Sequence, residues 1–185
     1  MNALLATAAE IQNFLQKADE RFCFIGGIAL QRWGEPRLTR DVDLTLLCPY
    51  GAEPPAIERL LAGFPPRMPE ARTFALEHRV LLLRGKSGVP VDIAFGSIPF
   101  EERTVERASE FDFGDVRLLT CSAEDLVVFK AFAGRERDWA DIESIAIRQS
   151  RQLDWPLVFK ELAPLVEIRG GAETTARLRR IQDAR

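Results

Sequence analysis

Two aspartates one residue apart, Asp41 and Asp43, lie in the apolar run "DVDLTLL", where valine, isoleucine or leucine would be less costly to bury. An unpartnered carboxylate in apolar surroundings is unfavourable, and a second one beside it adds like-charge repulsion. Side chains alternate along a strand, so Asp41 and Asp43 share one face while Val42 and Leu44 take the other, with the acidic Cα atoms about 7 Å apart. Both carboxylates then reach one cation site. A hard divalent ion such as Mg2+ takes oxygen ligands and offsets the repulsion. Asp92 in "PVDIAFG" repeats the theme, a lone acid between Val91 and Ile93. Three acids on neighbouring strands of one sheet can hold two metal ions for in-line phosphoryl transfer. The competing reading is an exposed edge strand with its acids in water, and the flanking Val42, Leu44, Leu46 and Leu47 argue against it.

Gly26 and Gly27 follow a short apolar run and precede a helical pattern. There, missing side chains let a phosphate approach the backbone, and N–H groups at a helix start point toward it. A glycine pair alone is an ordinary turn signal. Gly26-Gly27, thirteen intervening residues and then Asp41-Val42-Asp43 form a far more specific constellation.

The elements that must carry these residues can be read from periodicity. Leu4, Leu5, Ala8, Ile11, Leu15 and Ala18 predict an amphipathic helix over residues 3–18. "RFCFIGG" predicts a buried strand, "GIALQRWG" a two-turn helix closed by Gly34 as a C-cap, and "DVDLTLL" a strand. After a proline- and glycine-marked loop, "AIERLLAGF" predicts a helix. "ARTFALEHRVLLLRG" and "VPVDIAFG" read as paired strands joined by a turn at 85–88, followed by a short helix over 99–109 and a strand in "VRLLTC". From Ser122 the pattern turns helical: "SAEDLVVFKAFAG" opens on a capping-box-like Ser122 and Asp125, then come 136–149, 155–166 and 172–183. The expected fold class is α/β (α+β), a mixed β-sheet flanked by helices over residues 1–121, with a helical C-terminal part, 122–185, packed on it.

The chain's 185 residues are 46% hydrophobic, enough to bury a sizeable core. Net charge is -3, which gives no global argument for a nucleic-acid or membrane partner. Only Lys17, Lys86, Lys130 and Lys160 among the 25 basic residues are lysine; the arginine excess suits phosphate or carboxylate recognition but also tracks genome composition. Cys23, Cys48 and Cys121 form no paired or metal-site spacing and read as buried, reduced thiols. With no basic leader and no apolar run of membrane-spanning length, the expectation is a soluble cytoplasmic protein. "RGKS" at 84–87 lacks the upstream glycine of a phosphate-binding loop, since position 80 is Val. His78, the lone histidine, reads as structural.

The Gly26-Gly27 and Asp41-Val42-Asp43 pattern, with Asp92 as third carboxylate, resembles the nucleotidyltransferase superfamily with the DNA polymerase β-like fold. "RLTRDVDLTL" and "EDLVVFKAFAGRERDWADIESI" resemble more narrowly its AbiEii-type toxin branch; together these motifs span most of the chain to about residue 145. The resemblance implies that Asp41 and Asp43 bind Mg2+ (or Mn2+) bridging the triphosphate of an NTP, that Gly26 and Gly27 cradle its β- and γ-phosphates, and that Asp92 completes the second metal site. By matching position, it puts Lys130 toward the phosphates. Arg135, Arg137, Asp138 and Asp141 would close the pocket or contact an acceptor: a tRNA, a protein or a small molecule. An antitoxin partner is implied as well.

Other roles stand beside these. Lys130 follows "LVVF" and can snorkel as a surface residue. Asp138 and Asp141 can pair with Arg135 or Arg137 on a solvated helix face. Arg37 and Arg40 flank the acids, where they either bind nucleotide or acceptor or offset the acidic charge. At the level of the whole chain, the alternative is a non-catalytic nucleotide-binding or interaction protein that retains the fold. An interaction role predicts an exposed apolar stripe on 155–166 or 172–183.

Overall fold

The computed structural model describes residues 2–167 and 171–184. Its contacts divide the chain into two units, residues 1–28 with 38–121, and residues 29–37 with 122–185. Nine α-helices and six strands are found among the described residues.

The first unit is built on a sheet. Helix α1 (Ala3–Lys17) starts where the Asn2 side chain accepts the Leu5 N–H at 2.9 Å, and it buries Leu5, Ala8, Ile11 and Leu15 on one stripe. Strands β1 (Phe22–Phe24), β2 (Val42–Leu47), β3 (Val80–Arg84), β4 (Pro90–Gly96), β5 (Ser109–Asp112) and β6 (Arg117–Thr120) form one mixed sheet in the order β3-β4-β2-β1-β6-β5. β1 runs antiparallel to β2 and parallel to β6, whereas β2 and β4 are parallel. Val42, Leu44 and Leu46 pair with Val91, Ile93 and Phe95, and all six enter the core with Leu81, Leu83 and the α1 stripe. Each such side chain contributes about 1.5–3 kcal/mol by leaving water. The opposite pleat of β2 and β4 is left to Asp43, Thr45, Asp92 and Ala94, which is where the sheet can display chemistry.

Helices α3 (Glu53–Gly63), α4 (Ala71–His78) and α5 (Pro99–Arg107) complete this unit. The segment "ARTFALEH", expected as strand, is helix α4. Ala71 and Ala75, one turn apart, are buried, and Arg79 ends the helix in a left-handed conformation at φ 55°. Strand β3 begins only after that break. β5, not anticipated from sequence, is a mostly exposed edge strand whose residues lack apolar alternation.

The second unit is helical. Helix α2 (Gly26–Trp33) begins in the first unit and ends in the second, beside α6 (Ala123–Ala133), α7 (Glu136–Gln149), α8 (Trp155–Glu167) and α9 (Ala172–Asp183). Ser122 caps α6 by accepting the Asp125 N–H at 3.1 Å, and Gly134 closes it at φ 68°. α6 is buried around most of its surface because α7, α8 and α9 all pack on it. Gly34 does not act as a left-handed cap. A Cβ there would meet Ser144 Oγ and Leu30 Cδ1 at 2.6 Å, so its role is to admit α7. Arg148 donates to the Gly34 carbonyl and Gln149 to that of Trp33, tying residues 29–37 to α7.

Among the described residues, the exposed apolar stripe that an interaction role predicts on the last two helices is not found. The exposed large apolar side chains among the described residues are Leu38, Tyr50, Leu76 and Ile147, none on α8 or α9. No described helix is long and apolar enough to cross a membrane, and all three cysteines are buried.

Candidate active site

The parallel pairing of β2 and β4 puts Asp43 directly opposite Asp92. Neighbouring strands lie about 4.8 Å apart, so the two half-buried carboxylates sit on the same pleat within reach of one ligand. Asp41 stands one residue ahead of β2 rather than inside it. Its Oδ1 accepts a hydrogen bond from Thr39 Oγ1 at 2.9 Å.

The glycine pair is packed against these acids. The Ile25 N–H donates to the Asp43 carbonyl at 3.0 Å, extending the β1–β2 ladder to the doorstep of Gly26. Gly26 is left-handed at φ 57°, and a Cβ on it would fall 2.2 Å from Asp43 Oδ2. A Cβ on Gly27 would fall 2.3 Å from Thr39 Oγ1, the hydroxyl that holds Asp41. Each glycine therefore makes room for one acid or for the group that orients it.

Asp92 has a partner that sequence reading missed. Arg67 approaches Asp92 Oδ1 at 2.7 Å and Oδ2 at 3.2 Å. Only the longer contact has hydrogen-bond geometry, so Oδ1 is shielded from solvent without a directed donor. Among the described residues no three histidine, cysteine or acidic side chains converge closely enough to hold a metal ion. Thr39 carried a weak sequence signal, a hydroxyl two residues before an acid. Arg67, in "FPPRMPE", carried none.

The remaining candidates belong to the helical unit, apart from Arg40, which is exposed just ahead of Asp41. Lys130 is 5% exposed and does not snorkel: its ammonium donates to Asp141 at 2.6 Å and lies 3.5 Å from Asp138. Arg37 binds Asp141 through two 2.9 Å hydrogen bonds, and Arg135 donates to Asp138 at 2.6 Å. The two aspartates are buried and paired, not part of a solvated face, and Arg137 is exposed on the first turn of α7.

Burial pushes the Asp141 carboxyl up, but hydrogen bonds from Arg37 and Lys130 and their charges outweigh it, and the net shift is downward from 3.8. A lowered folded-state pKa contributes stability above the unfolded value that is lost as pH falls through the folded one. Asp141→Asn is therefore expected to cost about 3 kcal/mol at neutral pH, because it leaves a buried ammonium only the Asp138 carboxylate 3.5 Å away. The gap from wild type should close below about pH 4. Urea unfolding of both proteins across that range checks it; a gap that stays constant into acid would remove the charge from the explanation.

The model of the family described as "Nucleotidyl transferase AbiEii toxin, Type IV TA system" matches residues 12–182. Two solved structures share the fold. The lincosamide antibiotic adenylyltransferase LnuA, lincomycin-bound, is 16% identical with a TM-score of 0.53, over 78% of this chain and 98% of that one. The antibiotic-resistance factor ANT(2'')-Ia is 14% identical with a TM-score of 0.54, over 92% and 95%. No curated protein matches in sequence.

Proposed function

The chain belongs to the AbiEii nucleotidyl transferase toxin family, and from that premise we propose that Asp41, Asp43 and Asp92 are the centre of a metal-dependent transfer from an NTP to an acceptor hydroxyl. That it is a nucleotidyltransferase follows from family and fold. The observation that carries the finer reading is the register of Asp43 with Asp92 on adjoining parallel strands, with Gly26 pressed against the first of them.

The donor set fits a hard ion. Carboxylate oxygens are hard donors, and the buried Asp92 Oδ1, though 2.7 Å from Arg67, accepts no directed hydrogen bond; the three acids would have to draw together around the ion. Asp41, Asp43 and Asp92 would hold Mg2+ or Mn2+, which when bound offsets the triphosphate charge and favours ionisation of the acceptor hydroxyl. Gly26 and Gly27, bare at the start of α2, admit the β- and γ-phosphates to backbone N–H groups. Arg40 supplies an exposed guanidinium to the nucleotide. Asp92 takes the acceptor proton on a carboxylate oxygen. The hydroxyl oxygen bonds to the α-phosphorus, the bond from that phosphorus to the β-phosphate bridge breaks, and pyrophosphate leaves with the electron pair.

Lys130 of the helical unit is assigned to the nucleotide, and Arg37, Arg135, Arg137, Asp138 and Asp141 to the acceptor or the pocket. The acceptor classes are tRNA, protein and small molecule. The family's description supports a toxin with an antitoxin partner, and a cytoplasmic setting belongs to the same proposal.

Purified protein incubated with each α-phosphate-radiolabelled NTP, Mg2+ and either bulk tRNA or cell lysate tests this, with Asp41→Ala/Asp43→Ala alongside. Label on RNA, protein or a small molecule with wild type alone is the expected result and names the acceptor class. NTP binding by calorimetry with no label on any acceptor would overturn it in favour of a non-catalytic protein that keeps the fold.

A further inference from the structure

We propose that Arg67 is an internal counter-ion standing at Asp92 where a divalent cation would bind, and that nucleotide phosphates draw it away, coupling nucleotide binding to metal binding. The inference rests on the metal reading of the acids given above.

The backbone delivers Arg67 to this position. The Arg67 N–H donates to the Leu82 carbonyl and the Arg84 N–H to that of Pro65, both at 2.9 Å, while Pro66 bridges to Leu83. Residues 65–67 are thus laid along β3, and Leu82 is the cross-strand partner of Asp92. Prolines at 65, 66 and 69 limit the backbone on either side. Position is fixed by the main chain, but the side chain retains a way out, being 26% exposed.

The pairing itself is close and poorly directed. A guanidinium at its best grips a carboxylate with two parallel hydrogen bonds. Here the 2.7 Å approach to Oδ1 lacks hydrogen-bond geometry, and the bond to Oδ2 is 3.2 Å long. Arg67 thus holds the carboxylate chiefly by charge. A cation arriving at Asp92 competes with that charge, so Arg67 lowers metal affinity in the nucleotide-free protein. Phosphate oxygens offer the guanidinium a better-matched partner. Once they take it, Asp92 is released to the metal, and by linkage the metal strengthens nucleotide binding by the same factor.

Mn2+ titrations of the full chain by calorimetry test this, with and without a non-hydrolysable NTP analogue, for wild type, Arg67→Gln and Asp43→Asn. Arg67→Gln is expected to bind Mn2+ about two- to fivefold more tightly than wild type without nucleotide, the scale of one partly exposed ion pair. The enhancement of Mn2+ binding by the analogue should shrink by a similar factor. Unchanged or weaker Mn2+ binding by a folded Arg67→Gln would overturn the proposal, since a merely structural arginine gives that sign. Where Arg67→Gln fails to fold, Arg67→Met, which keeps the apolar stem and removes the charge, carries the same comparison and is expected to bind Mn2+ more tightly than wild type. Asp43→Asn separates the two levels. If it binds Mn2+ as wild type does, or if neither binds, the metal reading falls and Arg67 with it. If it loses Mn2+ while Arg67→Gln matches wild type, Arg67 alone falls.

Discussion

Asp43→Asn is expected to abolish nucleotidyl transfer, by at least about a thousandfold or roughly 4 kcal/mol of barrier, while leaving a folded protein. The substitution keeps size and shape and removes one charge. On the structural side the strand is kept, because the β2 ladder runs through the backbone and the neighbouring Val42 and Leu44 hold it in the core. Asp43 faces Asp92 across the parallel pair, so in metal-free buffer the change relieves like-charge repulsion and stability stays level or rises slightly. On the chemical side the loss is large. An amide oxygen is a poorer ligand for a hard cation than a carboxylate, and the row goes from three negative charges to two. Initial rates of label transfer, with melting curves in a chelator, measure both sides. Activity within tenfold of wild type would count decisively against Asp43 as a metal ligand. A collapse in stability would instead make Asp43 structural.

The elements that could be read from sequence are those whose burial follows a simple period. The α1 stripe of Leu5, Ala8, Ile11 and Leu15, the alternation in β2 and β4 and the Ser122 cap of α6 are all written in local spacing. Helix α4 was hidden because "ARTFALEH" runs without a break into the apolar "VLLL". The boundary is made by Arg79 in a left-handed conformation, with neither glycine nor asparagine to announce it. Gly34 misled in the other direction. Its position fits a cap, yet the close packing of Ser144 and Leu30 requires the glycine. That constraint arises from a helix more than a hundred residues downstream.

The acids and glycines of the proposed site stand out in the sequence because charge and missing side chains are anomalies in an apolar run. The contacts that orient them do not. Thr39 lies two residues from Asp41, but its packing on Gly27 depends on how the loop after α2 returns to the sheet. Arg67 reaches Asp92 only because residues 65–67 pair with β3, and no local pattern encodes that pairing. Lys130 shows the limit from another side. A lysine after "LVVF" is compatible with a solvent-facing helix edge, and only the packing of three helices around α6 explains its burial between Asp138 and Asp141.

Gly26→Ala is expected to be the second severe substitution, and to act on both stability and transfer. A left-handed φ costs an L-residue about 1–2 kcal/mol by itself. The new methyl would also lie 2.2 Å from Asp43 Oδ2 and 2.8 Å from Asp43 Cβ. Contact with the Cβ means that rotating the carboxylate away does not relieve it; the strand or the glycine turn has to shift. The Ile25–Asp43 hydrogen bond resists that shift, so the total cost is about 2–4 kcal/mol. Whatever folds has its Asp43 displaced, and transfer should fall with the metal ligand even where melting curves show native protein. The collision can be separated from the backbone strain. In an Asp43→Gly background the methyl has nothing to strike, and the stability cost of Gly26→Ala should drop to the φ contribution alone. A double-mutant cycle by urea unfolding reads this as a coupling between the two positions of about 1–2 kcal/mol. Zero coupling would mean that the glycine serves the turn and the turn only. In that case Gly26 would no longer support an acid held in place by a bare backbone, and the phosphate-cradling reading would rest on Gly27 and the register of Asp43 with Asp92.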